Sequence, residues 1–424
     1  MRHRSLLLAV LGTALLATAL ATFASAEIDA LSLLPQPADE PRDTAPYKIV
    51  VEAAAGQAER RYGLGSRTIG RAALDLQSAG SLVNGLRGVF SARLDATDPQ
   101  DSRISGVVLS LREAYMTWQG DTGATVVEFG RINLRSGPGY GFNPTDFFRD
   151  NALRTITTAN PFSLRENRLG TVMLRGQHIW DGAALSLALA PEISARRSDA
   201  GLSADWGATN GRGRALLSLS SRIRDIASGQ LLLFKENDHS PSWGASGTAL
   251  LSDAAVGHVE WSRGNGVSLI DRSIGSIGAP ANHRNRFAAG LTYTTLDRLS
   301  VTIEVQYNGF ALDSKEWNAL QVSPNQENLA TYYLMAQELQ DTPARRSLLI
   351  YATRKHLGVQ NLDLTVLMRL NHADHSRMFW ADLRYRMQRV DVGVQIQKNI
   401  GRQNSEFGII PIRTSVGLIT SVYF

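Results

Sequence analysis

"LSVTIEVQYN", from Leu299 to Asn308, decides how the rest of the chain is read. Leu299, Val301, Ile303, Val305 and Tyr307 alternate without a break with Ser300, Thr302, Glu304, Gln306 and Asn308. An extended strand sends successive side chains to opposite faces, so this is a strand with one apolar and one polar face. Its length matches the roughly nine to eleven residues that a tilted strand needs to cross a membrane.

The pattern recurs. In Asn361–Asn371, Leu362, Leu364, Val366, Met368 and Leu370 alternate with Asp363, Thr365, Leu367 and Arg369. In Arg377–Arg386, Phe379, Ala381, Leu383 and Tyr385 alternate with Asp382, Arg384 and Arg386, and Val390–Lys398 behaves likewise around Asp391. A soluble sandwich would turn the apolar faces inward. Polar faces charged with both signs favour the opposite orientation, lipid outside and a wet lumen inside.

The links between strands agree. Short ones fall at Gln119–Ala124, Trp180–Ala183, Arg224–Ser228, Ser252–Ala254, Thr295–Arg298, His356–Gln360 and Gln388–Arg389. Longer ones alternate with them, at Ser136–Asn167, Glu192–Arg212, Lys235–Ser242, Gly264–Arg284, Phe310–Arg345, Asn371–Ser376 and Asn399–Pro411. Tight turns at one end and loops at the other are the asymmetry of outer-membrane barrels. The expected fold is therefore all-β, a transmembrane antiparallel barrel over residues 47–424, with about eighteen strands. The strands within Lys48–Ala96 are weakly patterned, so about sixteen is the alternative count.

Both ends of the chain fit this reading. Residues 1–26, "MRHRSLLLAVLGTALLATALATFASA", have the basic start, apolar middle and small-residue end of a signal peptide. Residues 27–46 hold Pro35, Pro37, Pro41 and Pro46 and read as a periplasmic lead-in. At the other end, "SVGLITSVYF" alternates up to a terminal Phe424, resembling the signal read by the barrel assembly machinery.

Composition narrows the partners. Of 44 Lys and Arg, only Lys48, Lys235, Lys315, Lys355 and Lys398 are lysine. Guanidinium stays ionised and binds carboxylates through a planar fork, which suits charge held in an enclosed polar space. A net charge of +5 does not suggest nucleic-acid binding, and the absence of cysteine excludes disulfides. Outer-membrane lipid and small-molecule solutes are the expected partners. No cofactor is implied, and homo-oligomerisation is left open.

A barrel this wide has more lumen than its wall side chains fill. The segment Ser136–Asn167, "SGPGYGFNPTDFFRDNALRTITTANPFSLREN", is expected to fold back into it, with Phe142, Phe147 and Phe148 seated on the wall. Asp146, Arg149, Arg154 and Arg165 would narrow the passage. Glu113 belongs to the lumen face of its strand, and Arg131, Asn133 and Arg135 would converge at the loop base if a bulge near Gly130 turned Arg131 inward. Arg214, Arg222, Arg286, Arg369, Arg384 and Arg386 complete the cationic wall, facing Glu304, Asp363, Asp382 and Asp391.

"FGRINLRSGPGYGFNPTDFF" resembles a stretch of porin-like proteobacterial outer-membrane proteins, in which a Gly-Arg strand end leads through glycines to Asn-Pro-x-Asp. Gly130, Arg131, Gly137, Asn143, Pro144 and Asp146 match, whereas Ser136 stands where that family often has tryptophan. The resemblance implies a barrel and a transport role. The expected function is a channel for small polar solutes, anions preferred. The alternatives are a conduit or partner in export of a surface lipid or polymer, and a hydrolase using His372, Asp374 and His375, with His239 and His283 on other loops. Finally, Glu327–Arg346 reads as a short helix that would cap the mouth.

Overall fold

The computed structural model describes residues 46–424, except 84, 99–105, 195–197, 224–225, 277 and 323–327. The expected signal peptide, and all of the lead-in except Pro46, lie outside the described residues. Strands β1 (Tyr47–Arg60), β2 (Ser66–Val83), β3 (Leu86–Asp98), β4 (Val107–Gln119), β5 (Thr125–Ile132) and β6 (Thr171–Trp180) open the sheet. They continue as β7 (Ala183–Ala190), β8 (Arg214–Ile223), β9 (Ala227–Glu236), β10 (Ser242–Ser252), β11 (Ala255–Gly266) and β12 (Asn282–Thr294). The last six are β13 (Leu299–Asn308), β14 (Arg346–Arg354), β15 (Leu362–Asn371), β16 (Arg377–Arg386), β17 (Val390–Ile400) and β18 (Ile412–Tyr423). Each pairs antiparallel with the next, and β1 pairs with β18, so 18 strands close into a barrel with no free edge.

Closure is what hydrocarbon demands, because lipid cannot hydrogen-bond an unpaired backbone. Rows of paired apolar residues face outward. Leu187 sits opposite Leu217, and Leu217 opposite Leu233. Val394 stands between Leu383 and Leu418. Leu187, Leu217, Val394 and Leu418 are all exposed. Trp118, Trp180, Tyr293 and Tyr385 lie near the short-turn ends of their strands, and Trp243 and Trp261 near the long-loop ends. Two aromatic girdles bounding an apolar band are the mark of a membrane-spanning barrel. The chain is a multi-pass outer-membrane β-barrel, its short turns periplasmic and its loops extracellular.

Inside, the wall alternates polar and charged, with two apolar patches. One comprises Leu349, Tyr351, Leu367, Met378 and Trp380, on β14–β16. The other comprises Met173, Ala188, Leu216 and Leu232, on β6–β9. A third cluster lies above the extracellular rim. It packs Leu269, from α1 (Leu269–Ser273), with residues of α2 (Ser314–Val322) and α3 (Asn328–Glu338), among them Trp317, Leu329, Tyr332 and Ala336.

The bulge expected near Gly130 is not there. The β4–β5 register runs unbroken from Ala114↔Arg131 to Gln119↔Val126. Arg131 therefore shares its face with the exposed Phe129 and belongs to the outward register. The irregularity lies one strand pair earlier, where Ser91 faces Glu113 but Ala92 faces Leu111, leaving Arg112 as the extra residue. A bulge re-aims a side chain, and here it brings the Arg112 guanidinium to the lumen carboxylate of Asp75.

Candidate functional site

Residues 133–170, between β5 and β6, leave the wall and cross the lumen. Their tip docks on β11 and β13, six and eight places round a ring of 18 strands. Two wall carboxylates hold it. Glu304 on β13 accepts the amides of Tyr140 at 2.6 Å, Gly141 at 3.0 Å and Phe142 at 3.2 Å. Gln306 Nε2 at 2.6 Å and His258 Nε2 at 3.0 Å complete its shell. Glu260 on β11 accepts the Gly139 amide at 2.5 Å, Asn143 Nδ2 at 3.1 Å and both the amide and hydroxyl of Thr145, at 3.2 and 2.8 Å. Both carboxylates are fully buried. Successive amides converging on one anion form a nest, and a bond to a charged acceptor contributes about 1.5–3 kcal/mol.

The glycines follow from this approach. A Cβ on Gly137 would lie 2.2 Å from Glu260 Oε2, and its φ of +83° disfavours any side chain. A Cβ on Gly141 would lie 2.7 Å from both Gln306 Nε2 and Leu349 Cδ1. Only bare backbone fits between the loop and the carboxylates.

Aromatic packing adds to the dock. Tyr140 stacks on His258, with centroids 5.7 Å apart, and meets Phe162 edge-on at 4.8 Å. Phe162 begins the return leg within a short helix (Pro161–Glu166) capped by Asn160. Phe147 stacks on Phe234 of β9 at 4.7 Å, and Phe148 meets the same ring edge-on. Leu367, apolar on an otherwise polar face, lies in the cluster beneath Tyr140.

The arginines of this loop are largely engaged in holding it. Arg165 donates to the carbonyls of Ser136 at 3.0 Å and Gly137 at 3.2 Å and lies 3.6 Å from Asp146. Arg168 pairs with the same Asp146 and reaches Gln340 Oε1 at 2.6 Å. Burial lowers the Arg168 guanidinium to about 10, partly offset by Asp146. Arg149 pairs with Asp341 and donates to Leu339 O at 3.2 Å. Asn133 Nδ2 donates to Arg165 O at 3.1 Å, tying the outgoing strand to the return leg.

Two residues placed in the passage by sequence lie elsewhere. Arg131 is fully buried and donates to the carbonyls of Gly170, Ala204 and Asp205 at 2.6–3.0 Å, with Trp206 over its guanidinium. Arg154 donates to the carbonyls of Leu109, Ser203, Ser198 and Ala200. β5 is only eight residues long, so the extracellular half of β4 lacks a partner there. The segment 198–206 fills that place, with Gly201 O bonded to the Leu109 amide, and the two arginines secure it. They are wall clamps.

Charges of both signs also line β1–β4 and β15–β17. Arg71, Arg93 and Arg112 interleave there with Glu52, Asp75 and Asp95; Arg71 lies 2.6 Å and Arg93 3.1 Å from Glu52. Sequence reading missed this group because alanines occupy both faces of these strands and blur the period. A few strands further round the ring, Arg384 pairs with Asp382 at 2.8 Å, and Arg386 with Asp363 at 2.8 Å and Asp391 at 3.7 Å. Glu113 is half-buried on the inward register opposite Ser91, and Arg135 is exposed at the loop base. Arg214 lies over the Phe148 ring, Arg286 pairs with Asp341, and Arg222 is exposed at the periplasmic end. Arg369 is half-buried on the inward register of β15.

His372 and His375 stand 6.2 Å apart on the extracellular rim, while Asp374 accepts the amides of Ser376 and Glu406. Among the described residues no three His, Asp or Glu side chains are grouped to hold a metal.

No family model matches the chain, and no curated protein matches it in sequence. Solved structures do match in shape. The crystal structure of Acinetobacter baumannii OccAB1 is 10% identical over 89% of this chain and 96% of its own, with a TM-score of 0.55. A triple mutant of Rh. blastica porin is 10% identical over 89% and 99%, with a TM-score of 0.45.

Proposed function

We propose that the protein is a passive outer-membrane channel for small polar solutes, narrowed by the loop 133–170. The observation that carries this reading is the bonding of the Tyr140, Gly141 and Phe142 amides to Glu304, far round the barrel from the strand where the loop begins. An 18-stranded wall alone leaves an aqueous channel. A loop anchored across it divides that space and restricts what passes by size. The barrel likeness to OccAB1 and the Asn-Pro-x-Asp resemblance support a porin-like role.

The charges on this wall are interleaved and paired with one another, which keeps the lumen polar while leaving little net field across it. Among the described residues no ion pair within 4 Å engages Arg135 or Arg369, although Arg369 acts on the Glu406 carboxyl from beyond that distance. We assign a mild preference for anions to these two guanidiniums.

Planar-bilayer recording on the purified chain tests the reading. Stable conductance steps, with a reversal potential in a salt gradient that favours chloride over potassium, are expected. Absence of any conductance would remove the channel, and potassium preference would remove the anion assignment.

A further inference from the structure

A groove of about 500 Å³ opens on the outer face of the barrel at the extracellular rim. Its walls are two successive rows of the sheet. In the upper row Phe287 pairs with Tyr307, and Tyr307 with Arg346, whose carbonyl accepts the His372 amide at 3.1 Å. In the lower row Val305 pairs with Leu348, Leu348 with Leu370, and Leu370 with Arg377. Val305 and Phe379, on this outward face, are exposed to where lipid lies.

Arg346, Arg377, His372 and His375 are exposed, and no carboxylate lines the groove. Among the described residues neither arginine has an ion-pair partner. What sets these two apart is their place, with both guanidiniums at one apolar, membrane-facing slot. The slot lies at the depth of outer-leaflet headgroups, where Trp261 and Trp243 of the girdle also sit.

We infer that this groove binds a phosphate-bearing lipid of the outer leaflet. Arg346 and Arg377 hold the phosphate, with His372 and His375 as further donors, and an acyl chain lies along Val305, Leu348 and Leu370. Guanidinium suits this task because its donor fork matches phosphate geometry.

The test is native mass spectrometry of the full barrel, released from detergent containing either diphosphoryl lipid A or fully dephosphorylated lipid A. One diphosphoryl lipid should be retained at least tenfold more than the dephosphorylated form. Inorganic phosphate at millimolar concentration should not displace it, since it lacks the acyl chain. The variant with both Arg346→Gln and Arg377→Gln should lose retention at least fivefold, whereas Arg298→Gln, on a periplasmic turn, should not. Equal retention of the two lipids by the unmodified protein overturns the proposal without reference to any variant. Full displacement by inorganic phosphate, or unchanged retention in the double variant, overturns it as well.

Discussion

Arg149, in the loop that crosses the lumen, and Asp341, directly after the extracellular helices, form a buried ion pair. Arg286 of the wall completes it, 2.9 Å from the second oxygen of the same carboxylate. Burial opposes ionisation of Asp341, but the two guanidiniums, Arg286 and then Arg149, hold its carboxyl below the usual range. The Asn151 amide donates to Glu338 O, and Gln340 Nε2 to Arg149 O. The crossing loop and the extracellular helices are therefore one mechanical unit.

Breaking that unit should be non-additive. Arg149→Met and Asp341→Asn, alone and together, are expected to show a coupling of about 0.5–3 kcal/mol in thermal unfolding in detergent. Each single variant should also raise current noise, because a released cap frees the loop. Additive losses with quiet currents would separate the two elements.

Gly141→Ala places a methyl against Gln306 and Leu349, and Gly137→Ala places one on the Glu260 carboxylate. Both substitutions should lift the loop from Glu304 and Glu260 while leaving the strands paired. Single-channel conductance should rise, with circular dichroism unchanged. Gly176→Ala, on a strand with open space around the added methyl, is the neutral control.

Glu406 supplies a pH dependence. It lies in the inward-folded segment 401–411, where burial, reinforced by Asp374, raises its carboxyl to about 7 against the pull of Arg369 and an Asn371 hydrogen bond. A carboxyl raised above its unfolded value binds its proton more tightly when folded. Its packing is thus firmest in acid, weakens from about 4.5 upward and is fully weakened above about 7. Proteolysis of the 401–411 segment should be faster at pH 8 than at pH 5.5, and Glu406→Gln should flatten that difference.

Selectivity follows the facing charges. Arg369→Glu should shift the reversal potential toward potassium. Arg384→Gln should do the same more weakly, because it frees Asp382, which Gln395 Nε2 still contacts at 2.7 Å. No shift in either variant would place the current path away from this wall.

The last strands were open to reading because their side chains separate cleanly by face. The segment Leu299–Asn308 is β13 without adjustment, and the alternation of turns and loops runs through the chain to β18. β1–β3 were obscure for a physical reason: Ala53–Ala55, Ala72–Ala73 and Ala79–Gly80 suit either side of a strand. The orientation of Arg131 could not be read because the irregularity that sets β4 in register lies at Arg112, with nothing local to mark it. Glu304 was visible as an acid on a polar face. Its partners were not, since the amides that bind it are more than 160 residues away.

Single-channel conductance of the intact chain against one lacking Gly137–Arg165 tests the central claim most directly. Removing the segment should leave an inserted 18-stranded barrel whose conductance rises several-fold and whose size cutoff for neutral polymers widens. An inserted barrel with unchanged conductance and cutoff would contradict the assignment of this loop as the constriction.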